Sequence, residues 1–363
     1  MTKSGPKCLF LERPNFDSQE YQQFTEHFEC VHFYLHSAQE LYQEFAGKGA
    51  DIEYIYGGYI GLGKGYHGAE VKQTFPNLKI IALALVGYDN YNVAELAEAG
   101  VTLTNAPSEL AYGSVADLAL YNALLSFRNF KLFEAHVNNT LNDAATIRYL
   151  LHHSEFDLKQ GKAIVTPQKG HVYAHSICGR ENLSPAGHNA VIVGFGQIGS
   201  LIGKRLATIG MNVHYVKRTP LSPEEQDKLG YPITYHDKLE DTVGFADLVV
   251  LACPGGKSTY HLLLKQMINK FERPIRIINI SRGTVIDENA LVEGLETGKV
   301  LFAALDVFEE EPKIHPGLIG RQDVVLTPHI GLATIQNFNY TMALALDNVR
   351  RVLEGLKPIT QVN

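Results

Sequence analysis

Residues 190–210, AVIVGFGQIGSLIGKRLATIG, constrain the fold more than any other stretch of the chain. An apolar run leads into Gly194, Gly196 and Gly199, spaced Gly-x-Gly-x-x-Gly, and then into an apolar stripe of helical period. Each glycine has a physical task. Gly194 permits a tight turn, Gly196 lets the backbone approach a pyrophosphate, and Gly199 lets the helix lie close to the strand. The helix N-terminus presents free N–H groups to phosphates. In this strand–turn–helix setting the motif reads as a dinucleotide-binding unit rather than an ordinary glycine-rich turn.

The same alternation of strand and helix runs through most of the chain. Strands are expected at 7–11, 30–35, 52–56, 78–85 and 101–104, with helices at 19–28, 38–46, 68–74 and 93–99. A second series has strands at 190–193, 212–216, 233–235, 248–252, 275–280, 301–305 and 324–326. Its helices are expected at 198–209, 224–229, 259–270, 288–297 and 336–354. Such alternation calls for parallel sheets covered on both faces. Pro107 and Ser108 open a long helix through Val115 and Phe127 that can bridge two domains. Residues 131–188, with a helix at 143–152 and Gly/Pro-containing segments at 166–170 and 183–187, read as a long excursion suited to subunit contact.

Composition narrows the function classes. With 363 residues, two domains are expected. Forty-five per cent hydrophobic and 20% charged residues exclude a disordered or low-complexity chain. A net charge of −7 speaks against nucleic acid as a partner. No apolar run reaches the roughly 18 residues of a membrane span, and the first ten residues lack a secretory stretch. Cys8, Cys30, Cys178 and Cys253 form no Cys-x-x-Cys pair, so a reducing cytoplasm is expected. His171 and His175 read as incidental, and no metal is expected.

The second strand of the later series ends in Lys217, Arg218 and Thr219. NAD usually meets an acidic residue here, which accepts from the ribose hydroxyls. Two cations and a hydroxyl instead suit a 2′-phosphate and point to NADP(H). The alternative is that they are solvated and NAD(H) is held by backbone alone.

Three polar residues follow successive strand ends: Arg282 in Ser281-Arg282-Gly283, Glu311 in the run from Asp306 to Pro312, and His329 in Thr327-Pro328-His329-Ile330-Gly331. Ligands of open parallel sheets sit at these carboxyl ends. Arginine clamps a carboxylate in a fork, histidine gives or takes a proton, and a neighbouring glutamate favours the protonated ring. Singly each has a bland reading, as surface ion pair, acidic run or loop histidine. Together behind a nucleotide motif they suit reduction of a 2-keto acid.

These pieces, with Leu85-Val86-Gly87-Tyr88-Asp89-Asn90, Cys253-Pro254 and Asn279-Ile280-Ser281-Arg282-Gly283, resemble the D-isomer-specific 2-hydroxyacid dehydrogenase family. The resemblance runs from about residue 78 onward, and the tail after His329 looks like fungal D-mandelate dehydrogenase-type members. It implies two doubly wound parallel-sheet α/β domains, a Rossmann cofactor domain (116–332) inserted in a flavodoxin-like substrate domain (1–115 and 333–363), and a homodimer. It implies His329 as acid/base, Glu311 as its partner, Arg282 as substrate anchor, and the N–H groups of Val86 and Gly87 on the substrate carboxylate. For the cofactor it implies Gln197 and Ile198 at the pyrophosphate, Cys253 and Pro254 near the adenosine, and Ile280 and Asp306 near the nicotinamide, with Arg282, His329 and Gly331 also expected to bind the cofactor. The chain departs from the family at Lys217, in the long connection before the motif, and in having no tryptophan, which some glyoxylate-reducing members place near substrate.

The reading is reversible reduction of a 2-keto acid to a D-2-hydroxy acid by hydride transfer from NADPH. The alternative is a dinucleotide-sensing corepressor on the same fold. Side-chain specificity is expected in first-domain loops such as 56–59, and the substrate itself is not readable.

Overall fold

The computed structural model describes residues 5–34, 37–58, 68–88, 91–138, 141–166 and 169–363. Leu35 of an expected strand, Tyr59 of the expected specificity loop, Asp89 and Asn90 of the family motif, and residues 167–168 lie outside the described residues. The chain forms two compact units, Met1–Ala111 with Ala333–Asn363, and Tyr112–Leu332.

The first unit is built on strands β1 (Lys7–Phe10), β2 (Glu29–His32), β3 (Ile52–Gly58), β4 (Ile80–Leu83) and β5 (Thr102–Thr104). All pair in parallel in the order β2-β1-β3-β4-β5. This is the flavodoxin-like doubly wound order. Side chains alternate between its faces with period two. Cys8, Phe10, Tyr54, Tyr56, Ile80 and Ala82 face a core that includes Tyr21 and Phe24 of helix Gln19–His27 and Met342, Ala345 and Val349 of helix Ile335–Leu353. Leu9, Ile55 and Ile81 face the other, with Leu41, Val71 and Leu96 from three shorter helices. Beyond the last helix, the Val362 N–H donates to Leu103 O (2.9 Å) and Gln361 bridges Thr104 antiparallel, so the outer strand β5 is not left bare.

The second unit begins at Tyr112, within helix Glu109–Arg128. That helix is long and apolar enough by composition to cross a bilayer, yet half of that window is buried in the protein. Val115, Ala116, Ala119, Ala123, Leu125 and Phe127 lie in the unit's core. The excursion that follows holds helices Phe130–Glu134 and Ala144–His152 and two antiparallel ribbons, β6 (Glu155–Asp157) with β7 (Lys162–Ile164) and β8 (Ser176–Ile177) with β9 (Arg180–Glu181).

The main sheet contains β10 (Asn189–Val193), β11 (Asn212–Val216), β12 (Thr234–His236), β13 (Leu248–Leu251), β14 (Ile275–Asn279), β15 (Val300–Leu305) and β16 (Val324–Leu326). Its order, β12-β11-β10-β13-β14-β15-β16, is the Rossmann order extended by one strand. Val191, Val193, Val249, Leu251, Ile277 and Ala303 face one core, and Ala190, Ile192, Leu248, Val250, Ile278 and Ala304 face the other. The apolar runs are therefore buried on both sides, as a parallel sheet requires.

Several expected elements are shorter than their patterns; the strands expected at 30–35 and 78–85 are found at Glu29–His32 and Ile80–Leu83. The helix expected over 259–270 is confined to Lys265–Lys270. Gly256 takes φ +139° and His261 φ +48°. The N–H groups of His261 and Leu263 donate to Thr284 O (2.9 Å) and Val285 O (3.1 Å) instead of winding a helix.

The excursion is fastened to the sheet by a buried charge cluster. Arg321 Nε and Nη2 donate to the two oxygens of Asp323 (2.9 and 3.0 Å), and Arg180 Nη2 to Asp323 Oδ2 (3.4 Å). Arg180 also donates to Leu301 O (2.8 Å) and lies 3.7 Å above the Phe156 ring. Asp323 is 1% exposed. Replacing it by alanine strands two guanidinium groups away from water, so Asp323→Ala should destabilise the second unit by about 3–5 kcal/mol. Chemical denaturation monitored by circular dichroism measures this; a loss under about 1 kcal/mol would show that the arginines find other partners.

Candidate active site

The site assembles on loops following β13, β14, β15 and β16. β14 ends at Asn279, whose side chain organises the next turn. Its Oδ1 accepts from the N–H and the hydroxyl of Ser281 (3.0 and 2.8 Å), and its Nδ2 donates to Arg282 O (3.0 Å). Arg282 is thereby presented at the start of a short 3₁₀ turn, Gly283–Val285, with Nη1 donating to Ser281 O (2.9 Å). Ile280 is buried beside it, its N–H reaching Leu251 O (3.3 Å).

β15 delivers Asp306, which is 4% exposed. Its Oδ1 accepts from the Thr327 hydroxyl (2.6 Å) and the Ile330 N–H (3.0 Å), and its Oδ2 from the Gly331 N–H (2.8 Å). One buried carboxylate thus holds both flanks of His329. That histidine adopts φ +54°, a left-handed conformation in which histidine is over-represented but which still carries strain. Its Nδ1 lies 3.3 Å from Glu311 Oε2, and the other Glu311 oxygen accepts from the Phe308 N–H (3.0 Å).

Burial pushes the Glu311 carboxyl up, but it is outweighed. The bonds from His329 and the Phe308 N–H, with the charges of His329 and Arg282, hold the pKa below the ordinary carboxylate value. Arg282, Glu311 and His329 therefore share one electrostatic site. The His329 side chain is 41% exposed, open enough to meet a ligand.

The glycine motif has the geometry its spacing implies. Gly194 takes φ +90°, and a β-carbon there would strike the backbone of Ala252 and Cys253. At Gly199 it would strike Gly194 O, so strand and helix are in direct backbone contact. At Gly196, the N-cap of helix Gln197–Thr208, it would meet nothing within 4 Å, and no side chain caps the helix. Gly196 and Gln197 are exposed and Ile198 is half-buried. This open, uncapped helix start fits a pyrophosphate.

Lys217 follows β11 half-buried, with Arg218 and Thr219 exposed; none has a hydrogen bond or ion pair among the described residues. Cys253 is buried, which raises its thiol pKa to about 11, while Pro254 is exposed. These groups fit a nicotinamide dinucleotide. In the first unit, Val86 and Gly87 follow β4; Val86 O accepts from Asn105 Nδ2 (2.8 Å), and the N–H groups of both have no partner among the described residues.

Sequence reasoning placed Asp306 beside the nicotinamide but missed its grip on the His329 loop; the Thr327 hydroxyl was the available signal. Asp306→Asn puts an amide N–H where acceptors are needed. It should cost about 1–3 kcal/mol of stability, as an unsatisfied buried donor does, and lower turnover by releasing His329. Thermal melts and steady-state kinetics check both; an unchanged melt and turnover would remove Asp306 from the site's support.

The family description "D-isomer specific 2-hydroxyacid dehydrogenase, NAD binding domain" matches residues 159–331. The glyoxylate reductase of Thermococcus onnurineus (strain NA1) is 34% identical over 295 residues, covering 81% of this chain and 79% of that protein. Among solved structures, the holo form of D-mandelate dehydrogenase from Rhodotorula graminis is 26% identical with a TM-score of 0.82, covering 99% of this chain and 98% of that one. An NADPH-dependent glyoxylate/hydroxypyruvate reductase from Sinorhizobium meliloti, solved with NADP and malonate, is 26% identical with a TM-score of 0.72, covering 99% and 97%. Sequence similarity over four fifths of the chain and a shared fold over nearly all of it lead to one conclusion: the chain belongs to the D-isomer-specific 2-hydroxyacid dehydrogenase family and is an NAD(P)-dependent oxidoreductase of small 2-hydroxy and 2-keto acids.

Proposed function

We propose that the chain reduces a small 2-keto acid to the D-2-hydroxy acid, reversibly, with NADPH in preference to NADH. The observation that carries this reading is that one carboxylate, Glu311, is bonded to His329 and lies in the field of Arg282. The relatives above are enzymes by name, and nothing in the site favours the corepressor alternative.

The nicotinamide, when bound, supplies the reducing equivalent. The chain's own residues do the rest. Arg282 grips the substrate carboxylate in a planar fork and aims its carbonyl. Nδ1 of His329 faces Glu311, and Nε2 gives its proton to the carbonyl oxygen, or takes it back in the reverse direction. Glu311 fixes the ring and stabilises its protonated form. Lys217, Arg218 and Thr219 bind the 2′-phosphate. The exposed apolar side chains of Val137, Ile164 and Tyr173 support subunit contact through the excursion, in a homodimer.

A panel of 2-keto acids assayed with NADPH and NADH tests the reaction. His329→Ala should lower kcat by about 10²–10⁴-fold, the usual worth of a positioned proton donor, with NADPH affinity nearly unchanged. A kcat near wild type would overturn the assignment.

Lys217→Asp combined with Arg218→Ile should invert cofactor preference towards NADH. It removes charge-assisted bonds worth about 1.5–3 kcal/mol each, and the new carboxylate repels the phosphate while accepting from free ribose hydroxyls. The change should appear mainly in the KM for cofactor, since the phosphate is remote from the chemistry. A wild type that already prefers NADH would overturn the role given to these residues.

A further inference from the structure

A second histidine shares the backbone geometry of His329. His261 takes φ +48°, a conformation that persists only where neighbours hold it. Its holders span two further loops of the second unit. The His261 N–H donates to Thr284 O at 2.9 Å, in the loop that carries Arg282. Its Nε2 lies 2.5 Å from Glu309 Oε1, two residues before Glu311. The other Glu309 oxygen accepts from the Glu288 N–H (3.1 Å), and the Glu309 N–H donates back to Glu288 Oε1 (3.0 Å). Glu288 is 4% exposed, and the Tyr260 ring stacks on His261 at 4.0 Å.

Backbone packing closes the same loops together. At Gly283 any β-carbon would strike the backbone of Phe308 and Glu309, so the Arg282 turn is pressed against the Glu311 loop. At Gly255 a β-carbon would come within 2.9 Å of Arg282 Cγ. The segment 255–261 thus runs beside the arginine and ends in the histidine that grips Glu309.

We infer that His261, Glu309 and Glu288 form a positioning latch that fixes the Arg282 fork relative to the Glu311–His329 pair. The inference rests on the roles proposed above for those three residues. Arg282 and Glu311 stand on loops from separate strands, and keto-acid reduction needs the carboxylate anchor and the proton donor at a set separation. Glu288 is six residues beyond Arg282 and Glu309 is two before Glu311, so their reciprocal bonds set that offset, and His261 locks it from a third loop.

The test uses full-length enzyme carrying NADPH, comparing wild type with His261→Ala and His261→Gln. Keto-acid kinetics are measured together with NADPH affinity, melting temperature and, as a readout free of turnover, calorimetric binding of oxalate, a planar keto-acid mimic. His261→Ala should weaken oxalate about tenfold and lower kcat about 10–100-fold, the scale of a small misplacement of reacting groups, with NADPH affinity nearly unchanged. His261→Gln, whose amide N–H can still donate to Glu309, should recover most of both losses. Adding Glu309→Gln to His261→Ala should cost little more, because the two act on one path.

If His261→Ala does not fold, His261→Gln and Glu309→Gln singly supply the comparison. A folded His261→Ala with wild-type oxalate binding and kcat overturns the latch and leaves the proposed reaction standing. Parallel losses of NADPH binding, oxalate binding and melting temperature that glutamine does not restore also overturn it, since they mark general support. Wild type without keto-acid turnover overturns the proposed reaction, and the latch with it.

Discussion

The Asp306 carboxylate is the constraint on which the geometry about His329 depends. It is buried, so it has lost its water and must be repaid by donors. The donors come from one segment: the Thr327 hydroxyl and the Ile330 and Gly331 N–H groups. His329 lies between them and takes a strained backbone as a result. A freely moving loop would not place Nδ1 toward Glu311 while leaving the ring partly open. The strain at His329 is thus held by hydrogen bonds that make no contact with its ring.

The framework was legible where local pattern and burial agree. Continuous apolar runs such as 190–193 and 248–251 end up buried on both faces, and the glycine motif has the close approaches its spacing requires. Legibility failed where tertiary bonds compete with local period. Residues 259–264 carry a helical pattern, but the backbone of the 284–285 turn captures the N–H groups of His261 and Leu263. In the excursion the helix expected at 143–152 forms at Ala144–His152, but the rest was hard to read because its order comes from partners far apart in sequence, Arg180 with Asp323 and Lys131 with the carbonyls of Arg321 and Val324.

At the candidate site, sequence order alone suggested that Arg282, Glu311 and His329 belong together, because each follows a neighbouring parallel strand. What it lacked was the tier behind them. Asn279, Asp306 and Glu309 are short acidic or amide residues of a kind found in any loop, and only their partners distinguish them. Those partners are two to 48 residues away, and the more distant ones are in arrangements that no spacing rule encodes.

The Arg180–Asp323 pair also has a meaning in time. The two residues are 143 positions apart. At about 5–20 residues per second, a ribosome makes Arg180 about 7–30 s before its partner. Through that interval β16 does not exist, and the excursion has no finished sheet edge to dock on. For most of it β15, whose Leu301 carbonyl Arg180 also bonds, does not exist either, so the arginine and the Phe156 ring beneath it lack both sheet partners. Native topology makes the excursion among the first parts of the second unit to be synthesised and among the last able to settle.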